Sequence, residues 1–221
     1  MVKRGASLFL LLALNLTVLY GQEIFTAERF LEMVSNNYAS MRDYEGDLTI
    51  RSSNQDMVAR IIYLSPTFLR VDFSRPAEQA IVFNGEVLTV FIPEMRALLS
   101  QSVQSRRVTP GSPSSGLSML RRNYVPSFVT GPNPEPLEGT GERVVRLRLT
   151  RRSASEGFRE IILSIYPDSL IIRRMEARTI ADTEIRFDFT NIRTNVGISE
   201  TRFVYESPPL ANVYHNFLFR D

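Results

Sequence analysis

The stretch Pro66–Pro93, PTFLRVDFSRPAEQAIVFNGEVLTVFIP, decides the fold class. Within it Phe68–Phe73, Ala80–Phe83 and Val87–Ile92 are short runs rich in β-branched and aromatic residues. Turn-forming pairs bound them: Ser65-Pro66, Arg75-Pro76, Asn84-Gly85 and Pro93-Glu94. Such side chains suit a pleated surface, and Asn-Gly takes the positive backbone angles of a two-residue hairpin at little cost. Strands joined by turns this short run antiparallel, because a parallel return needs a crossover of a dozen or more residues.

The same pattern extends in both directions. Tyr44–Arg51 and Met57–Leu64 precede the block and Arg96–Val103 follows it, which makes a six-run antiparallel meander. Ahead of the meander, Thr26 is placed to cap a helix over Ala27–Ser40, with Glu28 in its first turn and Phe30, Leu31, Val34, Tyr38 and Met41 at helical spacing. Beyond it, residues 104–142 break the alternation. Gly, Ser and Pro cluster at 110–116, a helical stretch Gly116–Tyr124 carries Leu117, Met119 and Leu120, and prolines recur from Pro126 to Pro136. An insertion this long is expected to be a functional lid or a linker.

Strands resume at Arg143–Arg151, Phe158–Tyr166, Leu170–Arg178 and Thr183–Ile192. Val145, Leu147 and Leu149 alternate with Arg146, Arg148 and Thr150, and Ile185, Phe187 and Phe189 with Arg186, Asp188 and Thr190. One sheet face is therefore apolar and the other wet and arginine-rich. About ten such strands must close on themselves or be covered, and the available cover is helical. The expected fold is mostly β with α: a curved antiparallel sheet forming an incomplete half-barrel, covered by the N-terminal helix and the short helical lid.

Composition narrows the function. The chain has 221 residues, 43% apolar and 23% charged, no cysteine and one histidine. This fits one globular domain, and it removes thiol nucleophiles, cysteine zinc sites and histidine-rich metal centres. Lys3 and Arg4, the apolar run Ser7–Tyr20 and the small residue Gly21 have the layout of a secretory signal for export, with cleavage near Gly21 expected and an uncleaved anchor the alternative, since Leu19 stands where a small residue is usual. Residues 22–221 are then the single domain, with the lid insertion at about 104–142.

Without Lys3 and Arg4 the remaining charges balance, which speaks against a nucleic-acid partner. Their distribution is uneven, because residues 96–159 hold eleven arginines against four acids. That middle third is a candidate docking surface for an acidic partner or anionic headgroups. No Gly-x-Ser-x-Gly elbow, His-Glu-x-x-His helix or phosphate loop occurs. Asp43 with Glu45, and Asp182 with Glu184, read as solvated acids at wet strand ends. His215 reads as structural, and neither an enzyme activity nor a cofactor is expected.

Pro66, Leu69-Arg70, Pro76, Ile81-Val82, Asn84-Gly85, Leu88, Val90 and Pro93 sit where the LolA-like family of periplasmic lipoprotein carriers has its prolines, apolar-Arg pair and turn. The block resembles the core of that family. More loosely, Phe187 to Asn195 and Phe203 with Pro208-Pro209 resemble its closing strands. The resemblance implies a half-barrel with an apolar cavity for lipoprotein acyl chains. Ile61, Tyr63, Leu69, Val71, Phe73, Leu88 and Val90 would line it, with Leu117, Met119 and Leu120 on the lid. It also implies an inner-membrane ABC-type lipoprotein exporter as donor, an outer-membrane acceptor and a monomeric carrier. Carriers of this kind place an arginine that bonds to the lid where this chain has Ser65. Relatives of the fold also act as lipoprotein sensors or glycolipid carriers, so a regulatory interaction domain with a solid core is the alternative expectation.

Overall fold

The computed structural model describes residues 25–53, 55–103 and 113–217. The expected signal, residues 1–21, lies outside the described residues, as do residues 104–112 of the insertion. Helix α1 spans Ala27–Ser40, and the Thr26 hydroxyl accepts the Arg29 N–H at 3.1 Å, satisfying a donor that the first turn leaves open. Its buried face is Phe30, Leu31 and Val34.

The N-terminal strands are β1 (Asp43–Ser52), β2 (Asp56–Leu64), β3 (Phe68–Arg75), β4 (Ala77–Phe83), β5 (Val87–Ile92) and β6 (Ala97–Ser102). Helix α2 (Pro113–Asn123) follows, then β7 (Tyr124–Phe128) and β8 (Glu135–Pro136). The chain continues through β9 (Arg143–Arg151), β10 (Phe158–Ile165), β11 (Ile172–Thr179), β12 (Glu184–Thr194) and β13 (Asn212–His215). They form one sheet in the order β13-β6-β5-β4-β3-β2-β1-β12-β11-β10-β9-β7, with β8 beside β9. The end strands β13 and β7 do not pair, so the sheet stays open.

Two features depart from the sequence expectation. Strand β13 pairs with β6 in parallel, so the sheet is not wholly antiparallel. Strand β7 contains Pro126, which a central strand could not accommodate; β7 is an edge, where a missing N–H is tolerated.

Register fixes the two faces. Ile61 opposes Val71, Val71 opposes Ile81, and Ile81 opposes Val90, so these side chains share the helix side of the sheet. On that side Met41, Tyr44, Leu48, Ala59, Ile61, Tyr63, Val71 and Phe73 form one buried cluster. Phe30, Leu31, Val34, Leu117, Leu147, Leu149, Leu163 and Ala177 belong to a second, beneath both helices. A small outer cluster packs Phe203, from a helical turn at Glu200–Phe203, onto Ile62 and Val82.

The outer face is pinned by buried charge. Asp43 and Glu45 are not the solvated acids expected from sequence, since each is at least 95% buried. Asp43 accepts the backbone N–H groups of Val196 at 2.7 Å and Gly197 at 3.1 Å, and Glu45 is held by Arg60, Arg193 and Arg202. Asp188, also buried, lies within 3.3 Å of arginine nitrogens from Arg51, Arg173, Arg174 and Arg186. Burial would raise its carboxyl pKa, but the Arg174 hydrogen bond and the charges of Arg174, Arg186 and Arg173 outweigh burial and hold it below the usual carboxylate range.

Removing this anion leaves four guanidinium groups facing one another, so Asp188→Asn is expected to cost about 3–5 kcal/mol of stability. The contribution is complete above the unfolded-state pKa of about 3.9 and is lost as pH falls through the lower folded value. Urea melts at neutral pH and at about pH 3 check this: the native chain loses stability on acidification, and the variant, already weakened, loses less.

Candidate functional site

The apolar face of the sheet is not completely filled. A cavity of about 190 Å³ lies between the end of α1, the inner face of α2 and strands β1, β10, β11 and β12. Helix α2 presents Pro113, Gly116, Leu117 and Leu120 to it, the three- and four-residue spacing of one helical face. Opposite stand Tyr38, Met41 and Tyr44, and the floor is Leu163, Ile171, Ile172, Met175, Phe189 and Ile192. None of the described lining side chains is charged.

Leu117 is buried and anchors α2, whereas Met119 is 48% exposed and points away from the cavity. Leu120 packs partly buried beside Leu117. The ion pair joining α2 to α1 is Glu32 with Arg121 at 3.5 Å, each side chain more than a third exposed, so it contributes little. Ser65 makes a backbone bond to Arg42 at 2.7 Å and takes no part in holding the helix. Along its inner face helix α2 is seated by apolar contact, while at its end Asn123 donates to Glu156 at 3.3 Å and accepts the Arg152 N–H at 2.8 Å.

The polar groups of the wall are phenols. Tyr38 Oη accepts the Ile172 backbone N–H at 3.1 Å, and the Tyr63 hydroxyl donates to the Pro66 carbonyl at 3.1 Å. Tyr44 lies between these rings, 6.3 Å from Tyr38 and 5.3 Å from Tyr63 between centroids. Burial pushes the Tyr38 hydroxyl up to about 12, the Ile172 N–H offsetting part of the rise. Burial, reinforced by Tyr38 and Tyr63, raises Tyr44 further still. Both stay protonated at any physiological pH.

Of the wall residues singled out in the sequence, Ile61, Tyr63, Val71 and Phe73 lie together in one cluster with Leu69 packed against them. Leu88 and Val90 continue the same face on β5, opposite Phe83 and Ile81. These seven do not border this cavity; Tyr63 is linked to it through Tyr44. Leu117 and Leu120 do border it.

Phe189 and Ile192, three positions apart on β12, reach the same space because the β1–β12 register shifts between Glu45 and Asp47 and Asn191 takes a positive φ of 52°. The signal for this bulge was Gly46, across from Ile192. A Cβ there would lie 2.2 Å from Ile192 Cδ1 and 3.0 Å from the Thr190 carbonyl oxygen.

The basic middle third separates into two parts. Arg146 and Arg148 pair with Glu135, Glu176 and Glu160 on the outer face, while Arg121, Arg122 and Arg152 gather around a surface hollow beside α2. Among the described residues, no group of three or more His, Asp or Glu side chains could hold a metal ion.

With this architecture in place, a sequence-family comparison is decisive. Residues 62–206 match the family model described as "Outer membrane lipoprotein carrier protein LolA". The chain belongs to the LolA family. No curated protein is significantly similar to it in sequence. Among solved structures, the LolA-family chain is similar to an uncharacterized conserved protein from Thermus thermophilus, with 13% identity, 86% of this chain and 98% of that one covered, and a TM-score of 0.58. It is also similar to MucB in the MucA/MucB complex of Pseudomonas aeruginosa, with 14% identity and a TM-score of 0.54. That match covers 81% of this chain and 61% of the other, so the chain spans under two thirds of its length. At these identities the likeness shows a shared fold. Family membership implies a periplasmic location.

The Gly46 contact generates a test of the cavity wall. Gly46→Ala forces Ile192 toward the cavity and is expected to cost about 1–3 kcal/mol, an overpacking penalty. In a double-mutant cycle with Ile192→Ala the combined loss should fall short of the sum, because the second change removes the clash. Additive losses would place Ile192 elsewhere.

Proposed function

We propose that this LolA-family chain is a non-enzymatic periplasmic carrier that takes up lipoprotein acyl chains at the apolar face beneath α2 and carries them toward the outer membrane. The observation that carries the reading is the cover itself: α2, seated by apolar contact, lies over a cavity with no charge in its described lining and bears a glycine at the rim. A Cβ at Gly116 would meet nothing within 4 Å. Gly116 is exposed at the rim of the cavity, where a larger side chain has room to reach over the opening.

The energetics favour a moving cover. An apolar cavity of about 150 Å³ accommodates a benzene-sized guest, so this one, at about 190 Å³, takes a short segment of an acyl chain. Each methylene removed from water contributes about 0.8 kcal/mol, so sixteen of them supply on the order of 10 kcal/mol. Displacing Leu117 and Leu120 from the cavity offsets part of that gain, and closure over the empty site assists release. The half-buried continuation across Leu69, Leu88 and Val90 would receive the rest of the chain. The donor would be an inner-membrane ABC-type lipoprotein exporter and the recipient an outer-membrane acceptor.

A second reading, an interaction domain for an acidic protein partner, is supported by Arg121, Arg122 and Arg152 gathered beside α2. The two readings separate on one substitution. Gly116→Leu should keep or raise the melting temperature by improving the helix, yet reduce lipid or lipopeptide retained after periplasmic expression at least tenfold, as measured by native mass spectrometry. Undiminished retention would refute this location for the cargo. A wild-type chain without lipid that forms a salt-sensitive complex with an acidic protein would favour the second reading.

A further inference from the structure

We infer that the Tyr44 hydroxyl is a hydrogen-bonding seat for the neutral carbonyl at the head of a bound acyl chain. This rests on the acyl-carrier reading and deepens it from chain length to chain linkage. Tyr44 is 92% buried, and of the three neighbouring phenols it alone has no hydrogen-bond partner: Tyr63 donates to Pro66 and Tyr38 accepts from Ile172. A buried donor is seldom left unsatisfied, because the loss is comparable to that of a whole hydrogen bond. The atom is not sealed in packed protein either: among the described residues the fully enclosed, unpartnered side-chain atoms belong to Glu135, Arg146, Ser164 and Arg186, and Tyr44 is a lining residue of the cavity.

The chemistry of the lining selects the guest. A protonated phenol offers one O–H donor, and its partner must be an acceptor. A free carboxylate is disfavoured, since the described lining holds no arginine, lysine or histidine and an unpaired anion beside those residues would lose its hydration uncompensated. A neutral ester or amide carbonyl satisfies the donor without importing charge. The methylenes nearest the carbonyl then lie along Leu163, Met175 and Phe189, the rest continue across Leu69, Leu88 and Val90, and the polar remainder leaves past the rim at Gly116.

Competition binding of small acyl probes tests this. Methyl laurate, the matching N-methyl amide and a hydrocarbon of similar length displace a fluorescent apolar reporter from the native chain and from Tyr44→Phe. The native chain should favour a carbonyl probe over the hydrocarbon by about five- to tenfold more than the variant does, the worth of one ordinary hydrogen bond. The carbonyl probe that shows the larger effect separates ester-linked from amide-linked chains. Tyr44→Phe should leave the hydrocarbon affinity and the melting temperature of the empty protein unchanged or higher, because the lost hydroxyl had no partner. Tyr63→Phe should keep the carbonyl preference. An equal preference in native chain and Tyr44→Phe overturns the seat while sparing the carrier reading, as does a lowered melting temperature in the variant with its preference intact. Binding of no probe by the native chain overturns both.

Discussion

The structure depends on a mismatch between an apolar surface and its cover. Twelve strands follow one another along the sheet at about 4.8 Å each, so the inner face sweeps roughly 50 Å of arc. The helices available to cover it hold 14 and 11 residues, about 21 and 16 Å long at 1.5 Å per residue. Two cylinders of that size cannot seal such a face with uniform density. The deficit falls where they meet the sheet, between the cluster under both helices and the one centred on Tyr44, Tyr63 and Val71. On the proposed carrier reading, retention and release of a greasy guest would both draw on that shortage of cover.

The two sides of the sheet are stabilised differently. Outside, Asp43, Glu45 and Asp188 tie distant strands together through buried hydrogen bonds to backbone and arginine, interactions that are strong when intact and costly when half broken. Inside, α2 rests largely on Leu117 and Leu120, with an exposed ion pair to α1 and hydrogen bonds at its Asn123 end. Apolar contact is undirected, so one hydrocarbon can replace another with little penalty, whereas the outer ion clusters have no such substitutes. A stiff wall and an exchangeable cover are what the transport of acyl chains through water requires. A shared fold alone would not establish this, since one architecture hosts many functions.

Much of the scaffold was legible because it is written in local periodicity. Thr26 and the spacing of Phe30, Leu31 and Val34 mark α1 from cap to end. Asn84-Gly85 and the alternation of β-branched residues place β2 to β5 to within a few residues. What escaped was non-local. Strand β13 is four residues long and pairs in parallel with β6, far earlier in the chain, and Pro126 disguised β7. Nothing local distinguishes Asp43 and Glu45 from solvated acids, because their partners, at Val196, Arg193 and Arg202, are brought in by the tertiary fold. The cavity was harder again. Sequence reading marked a wall on β2, β3 and β5 and, on the lid, Leu117 and Leu120, which border the cavity under α2; what it did not mark is the opposite side, where a bulge opposite Gly46 turns Ile192 inward.

The most direct measurement of the central claim is hydrogen exchange of the intact chain with and without a saturating diacylated lipopeptide. If the cover exchanges places with cargo, amides of Pro113–Asn123 open at a lower free energy than those of β10 in the empty protein, and loading changes their protection while β10 stays constant. A helix protected as strongly as β10 and indifferent to lipopeptide would contradict the account.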